Sequence, residues 1–175
     1  MSATEPRPKR VFLVGLMGAG KSTVGIALAA LLGCKYLDND VLLEQQARAS
    51  LQELATAGRQ ALHEQESRQL RALFDISGPF VAGVAASVAD RADDMALMVA
   101  AGRVVYLRAT PATLAQRVGG GEGRPWLADD PLPLLESMFA ARDRAFRSVD
   151  HVVDTDGRDS EEIAAELAAR LVAEE

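Results

Sequence analysis

Residues 11–23, VFLVGLMGAGKST, decide how this chain is read. The apolar run 11–14 has the character of a buried strand, and it stops at Gly15. From Gly15 the spacing is G-x-x-x-x-G-K-S, closing on Gly20, Lys21 and Ser22. Each position of that pattern has a physical task. Gly15, Gly18 and Gly20 take backbone conformations closed to residues with a Cβ, so that successive N–H groups turn toward phosphate oxygens. Ala19 and Thr23 belong to the same nucleotide cradle. Lys21 is placed to reach the β- and γ-phosphates of ATP, and the Ser22 hydroxyl to sit on Mg²⁺. A helix predicted over 21–32 adds the positive end of its dipole to the same spot. A glycine-rich turn between strand and helix is the plainer reading. The apolar strand before the motif and the apolar helix after it favour the phosphate loop.

Working outward, 175 residues suffice for one domain with a proper core, and a composition 49% hydrophobic and 25% charged is that of a globular protein. A net charge of −6 speaks against general nucleic-acid binding. Cys34 is the sole cysteine, which excludes an internal disulfide and reads as packing after an apolar helix. The opening MSATEPRPKR lacks the apolar core of an export signal, and no run approaches the roughly 18 apolar residues of a membrane span. The expectation is a cytoplasmic monomer with a small-molecule acceptor and neither nucleic acid nor membrane as partner.

Along the chain, residues 1–10 read as a flexible arm and 11–175 as one domain. A second strand is predicted over 35–37, running into Asp38-Asn39-Asp40. Residues 41–74 read as helical with breaks near Ser50 and at Gly58, and Ser50 with Glu53 has capping-box spacing. Strands are predicted over 80–83, 104–107 and 151–153, and helices over 88–100, 111–118, 132–148 and 160–173. The alternation of strand and helix implies a parallel sheet with helices on both faces.

These landmarks together resemble the shikimate kinase family, within the nucleoside-monophosphate-kinase-like P-loop kinases. The likeness spans nearly the whole chain: GLMGAGKSTVG at the front, the acidic pair of LDND, R-P-W-L at 124–127, the helix carrying Arg142, and VVDTDGR at 152–158. The resemblance implies a three-layer α/β/α fold with a five-stranded parallel sheet, an acceptor-binding helical region over about 40–75 and a lid over about 118–131. It also implies an ATP- and Mg²⁺-dependent kinase that moves the γ-phosphoryl group to a hydroxyl of a small acidic metabolite. By the same resemblance Asp38 helps hold Mg²⁺, and Asp40 meets the acceptor hydroxyl and takes its proton. Arg117 and Arg124 come over the phosphates, Arg142 grips the acceptor's carboxylate, and Arg158 lies on the adenine side. The residues also permit plainer roles: Asp40 as a helix cap, Arg142 as part of an exposed basic face. Trp126 either packs the lid or lines the acceptor pocket.

Two departures fall on the acceptor side. The family reads G-E-x-x-F-R-x-x-E where this chain has Gly58 to Glu66, so His63 stands at the acceptor-binding arginine. Arginine is always charged and offers a fork of donors, whereas histidine near neutral pH is mostly uncharged and offers one or two. Glu66 keeps its place and is expected to bond His63 and raise its charge. The family also ends its third strand in three glycines, and here Val84, Ala85 and Ala86 put side chains into that stretch, removing a shelf of backbone N–H groups. Three readings stay open on this sequence: a kinase for another small hydroxylated acceptor, a shikimate kinase with a drifted pocket, and a nucleotide-dependent binding module without turnover.

Overall fold

A computed structural model describes residues 10–50, 53–54, 56, 58–119 and 130–173. The lid expectation, with Arg124 and Trp126, falls largely outside these residues, as does the arm over 1–9. The elements, in chain order, are β1 Arg10–Val14, α1 Lys21–Leu31, β2 Lys35–Asp38, α2 Asn39–Ala47, α3 Arg59–Leu73 and β3 Phe80–Gly83. A 3₁₀ turn Ala86–Asp90 follows, then α4 Ala92–Ala101, β4 Arg103–Arg108, α5 Pro111–Val118, α6 Leu132–Phe146, β5 His151–Asp154 and α7 Ser160–Ala173. The five strands form one parallel sheet in the order β2-β3-β1-β4-β5, the three-layer arrangement expected.

Burial explains why the central strands read as continuous apolar runs. Phe12, Leu13 and Val14 of β1, and Val104 to Leu107 of β4, are covered on both faces of the sheet. Phe12 packs edge-on against Phe74 and Phe80, with ring centroids 5.8 and 5.7 Å away. On one face α1 lies along α7, where Val24 and Leu28 meet a helix whose Ile163, Leu167 and Leu171 are buried. After β1 the chain crosses to β2 at one edge, and after β3 it crosses to β4 on the other side. The crevice at that reversal lies at the carboxyl ends of the strands, where ligands of such sheets gather.

Three local expectations shift. Arg10 belongs to β1 rather than to the arm, because it pairs in register with Phe80 and its guanidinium donates to the Ile76 carbonyl at 2.9 Å. The helix expected over 88–100 is two elements, since Arg91 takes an extended conformation (φ −128°, ψ 96°) between the 3₁₀ turn and α4. Arg91 there bonds Asp94 at 2.6 Å, one of two acidic residues in the first turn of α4. The cap of α2 is Asp38 and not Asp40: one Asp38 oxygen accepts from the Asp40 and Val41 amides at 3.0 and 3.3 Å. The breaks at Ser50 and Gly58 are real. Ser50 and Glu53 form the reciprocal capping box, their amides each bonding the other's side chain at 2.8 and 3.2 Å.

Candidate active site

The loop between β1 and α1 is shaped by its glycines. A Cβ on Gly15 would lie 2.5 Å from the Leu107 carbonyl oxygen, and Gly20, with φ of 96°, caps α1 in the left-handed region. The first amides of α1, at Lys21, Ser22 and Thr23, have no carbonyl of their own helix to bond and form a ready anion site. The Ala19 amide is instead spent inside the loop, donating to Leu16 at 3.1 Å. Lys21 folds back across the loop, its ammonium donating to the Gly15 and Leu16 carbonyls at 2.9 and 3.2 Å. Arg117 ties the same loop to the far strand: it reaches the Gly18 carbonyl at 3.3 Å and the Thr155 carbonyl at 2.6 Å. Arg158 is engaged differently, bonding Glu162 and Glu166 of α7 at 3.1 and 2.5 Å.

At the end of β2, Ser22 donates to the second Asp38 oxygen at 3.1 Å, and the Tyr36 hydroxyl donates to the same oxygen at 3.2 Å. Two hard oxygens, a hydroxyl and a carboxylate, thus stand together beside the phosphate cradle. That donor set suits Mg²⁺, which keeps several waters and takes one or two protein oxygens alongside nucleotide phosphates. Among the described residues no group of three His, Cys, Asp or Glu side chains stands close enough to cage a metal. When bound, an ion held by Ser22 and Asp38 would neutralise negative charge on the nucleotide.

Sequence reasoning missed Tyr36. Its ring fills space left by two glycines: a Cβ on Gly25 would lie 2.3 Å from Tyr36 Cε2, and one on Gly83 2.5 Å from the hydroxyl. Gly83→Ala is therefore expected to push Tyr36 off Asp38 and to destabilise the fold by about 1–3 kcal/mol. A urea melt read beside the Mg²⁺ dependence of turnover checks both parts. The available signal was the matched placement of Tyr36 and Gly83 near the ends of neighbouring strands, which pairwise spacing in one sequence does not reveal.

The residues expected on the acceptor side make other bonds within the chain. Glu66 lies within electrostatic reach of Asp40, Arg91 and Arg142, and His63 within reach of Arg91, Asp90, Arg142 and Arg59. Glu66, buried, accepts from the Ser87 hydroxyl rather than pairing with His63. Burial pushes the Glu66 carboxyl above its ordinary value, against the Ser87 hydrogen bond. His63 goes the other way: burial, then the Arg91 charge, hold its imidazole below the usual range, with Asp90 opposing and Arg142 and Arg59 assisting. It is thus uncharged near neutral pH, the reverse of the expected effect of Glu66. Above the unfolded value of about 6.5 the ring is neutral in both states, and as pH falls below it the unfolded chain takes the proton first. Stability is therefore lost on that descent. The wild-type urea midpoint should fall more than that of His63→Gln between about pH 7 and pH 5.5.

Val84, Ala85 and Ala86 do not strain the backbone. Arg48 is the one non-glycine with positive φ among the described residues, and Ala85 has φ −57° and ψ 141°. Val84 is 2% exposed, packs in the core and gives its amide to the Leu13 carbonyl at 3.0 Å. At this position the chain continues the strand pairing in place of an amide shelf. Arg142 forms a fork on Asp90, its Nε and terminal nitrogen donating at 3.0 and 2.6 Å.

A P-loop at the switch point of a five-stranded parallel sheet, with the Ser22 hydroxyl on Asp38 beside it, is the architecture of a P-loop kinase. A family model described as shikimate kinase matches residues 17–172. The shikimate kinase of Geobacter sulfurreducens is 36% identical over 163 residues, covering 91% of this chain and 89% of that protein. That of Halorhodospira halophila is 36% identical over 167 residues and 94% of each chain. Among solved structures, the shikimate kinase of Acinetobacter baumannii in complex with shikimate superposes with a TM-score of 0.90 at 26% identity, over 98% of this chain and 96% of that one. The chain belongs to the shikimate kinase family. It is an ATP-dependent small-molecule kinase, with ATP and Mg²⁺ as its cofactor set. No helix among the described residues is long and apolar enough to cross a membrane.

Proposed function

We propose that this chain transfers the γ-phosphoryl group of ATP to a hydroxyl of a small acceptor held among Asp40, His63 and Arg142, and that shikimate itself is a poor acceptor. Residues 40–75 form the acceptor wall and 118–131 the lid, with Arg124 supplying a further cation to the phosphates. The amides of Gly18, Gly20, Lys21, Ser22 and Thr23 hold the phosphates. Ser22 and Asp38 hold Mg²⁺, and Arg117 closes the nucleotide side by way of Thr155. Asp38 caps the helix, and Asp40 accepts the hydroxyl proton while Lys21 steadies charge on the transferred group. Little more is needed, because phosphoryl transfer runs on positioning and charge. Arg158 is held by α7 acids and acts as a wall of the adenine side. The work is that of a cytoplasmic, monomeric enzyme.

The observation that carries this reading is the asymmetry of the site. Its nucleotide half is intact, whereas on the acceptor side His63 is uncharged and Arg142 already holds a carboxylate of its own chain. A second reading, shikimate kinase proper, is favoured by the 36% identity to proteins of that name over nearly the whole chain. Acceptor-dependent ADP release from ATP·Mg²⁺, measured by a coupled assay across small hydroxylated rings and sugars, tests the proposal. Release with at least one of them, abolished by Lys21→Ala, is expected. ATP binding with no release for any acceptor would overturn it in favour of a binding module.

A further inference from the structure

We propose that Asp90 fills the anion position of the acceptor pocket, so that this kinase prefers an uncharged acceptor where a carboxylate would otherwise bind. The inference rests on the acceptor-site reading above and names the chemical class of its ligand. It starts from the fork of Arg142 on Asp90, at 3.0 and 2.6 Å, made between α6 and the last residue of the 3₁₀ turn. A bidentate arginine–carboxylate pair is a strong, charge-assisted contact, and here it occupies the Nε edge of the Arg142 guanidinium. The Arg142 side chain is 14% exposed and Asp90 39%, so the pair is covered on the arginine side and open to water on the other. The Arg142 hydrogen bond keeps the Asp90 carboxyl below its ordinary value, which keeps it ionised and in place at neutral pH.

One neighbouring cation, Arg91, is committed in the same way. A cleft of about 680 Å³ opens beside the pair, lined in part by His63, Ser67, Asp90 and Arg91. Arg91 bonds Asp94, a carboxylate only 1% exposed, at 2.6 Å. His63 stands at the cleft without charge, as derived above. Arg59 and Arg68 also line it, but both are exposed, where an ion pair contributes little. An incoming carboxylate would meet the Asp90 charge and would have to share Arg142 with it or displace it. An uncharged group meets Ser67, Gln60 and His63, which donate and accept hydrogen bonds without a charge to repel. One residue of the chain thus stands in for the charge that an acidic acceptor would bring, and the acceptor need not carry it.

The test compares shikimate with its primary amide, which has the same ring and shape and differs in charge. Wild type, Asp90→Ala and Asp90→Asn are compared, with circular dichroism confirming that each variant folds. Wild type should use the amide at least about tenfold better in kcat/KM. Asp90→Ala should move the carboxylate-to-amide ratio toward the carboxylate by about ten- to hundredfold, the worth of one charged hydrogen bond. Asp90→Asn should move it in the same direction. A wild-type preference for the carboxylate, or a ratio unmoved by both variants, overturns the proposal. Calorimetric titration of both rings into the ADP·Mg²⁺ complex reads the same ratio without chemistry. If the binding ratio behaves as stated but no ring is phosphorylated, only the kinase reading fails. If neither ring binds any variant, the pocket assignment is wrong and the proposal falls with it.

Discussion

Lys21→Ala should lower kcat by a factor on the order of 10²–10³ or more while leaving the fold unchanged, since removing one preorganised cation or donor from a charge-developing site costs about that much. The ammonium sits over the loop, on the Gly15 and Leu16 carbonyls, and takes no part in the apolar core. Its removal therefore costs transition-state charge stabilisation and little packing. Thermal unfolding within a few degrees of wild type, beside lost turnover, is the expected pair of results. Full activity in Lys21→Ala would mean that the loop does not hold the transferring phosphate.

Asp40→Asn should lower kcat by about 10²–10⁴, the usual worth of a positioned general base, with ATP affinity nearly unchanged. The two aspartates of LDND divide the work. Asp38 uses one oxygen to cap α2 and the other to receive Ser22 and Tyr36, so its loss would disturb the helix start and the metal position together. Asp40 lies one residue into the helix and close to Glu66, where the proposal places the acceptor. Asp38→Asn should therefore weaken the apparent Mg²⁺ affinity, and Asp40→Asn should not. Calorimetry of ATP·Mg²⁺ binding beside single-turnover rates separates them, and equal losses of binding and rate in Asp40→Asn would move that residue to the metal.

The nucleotide half was legible because it is local in the chain. Strand, glycine loop, lysine and serine follow one another within 11–23 at the fixed spacing of a P-loop. The sheet was legible for a similar reason, since buried parallel strands such as 104–107 read as plain apolar runs. The acceptor half is assembled from distant segments. Asp90 lies 52 residues before the Arg142 that it pairs with, and no spacing rule links the two. Ser87 takes the Glu66 carboxylate across 21 residues, and burial with the Arg91 charge leaves His63 uncharged. Val84 looked like an obstruction in the pocket and is a core residue. Returning glycine there would remove a buried side chain, at a cost of roughly 2 kcal/mol, instead of repairing a shelf.

The same division directs the decisive experiment, because the central claim is an intact phosphoryl donor facing an altered acceptor pocket. The measurement is kcat/KM for shikimate at saturating ATP·Mg²⁺, on wild type and on His63→Arg. A wild-type value well below about 10⁴ M⁻¹s⁻¹, raised about ten- to hundredfold by His63→Arg, is the predicted result. A wild-type value at or above about 10⁴ M⁻¹s⁻¹, unchanged or lowered by the arginine, would contradict it.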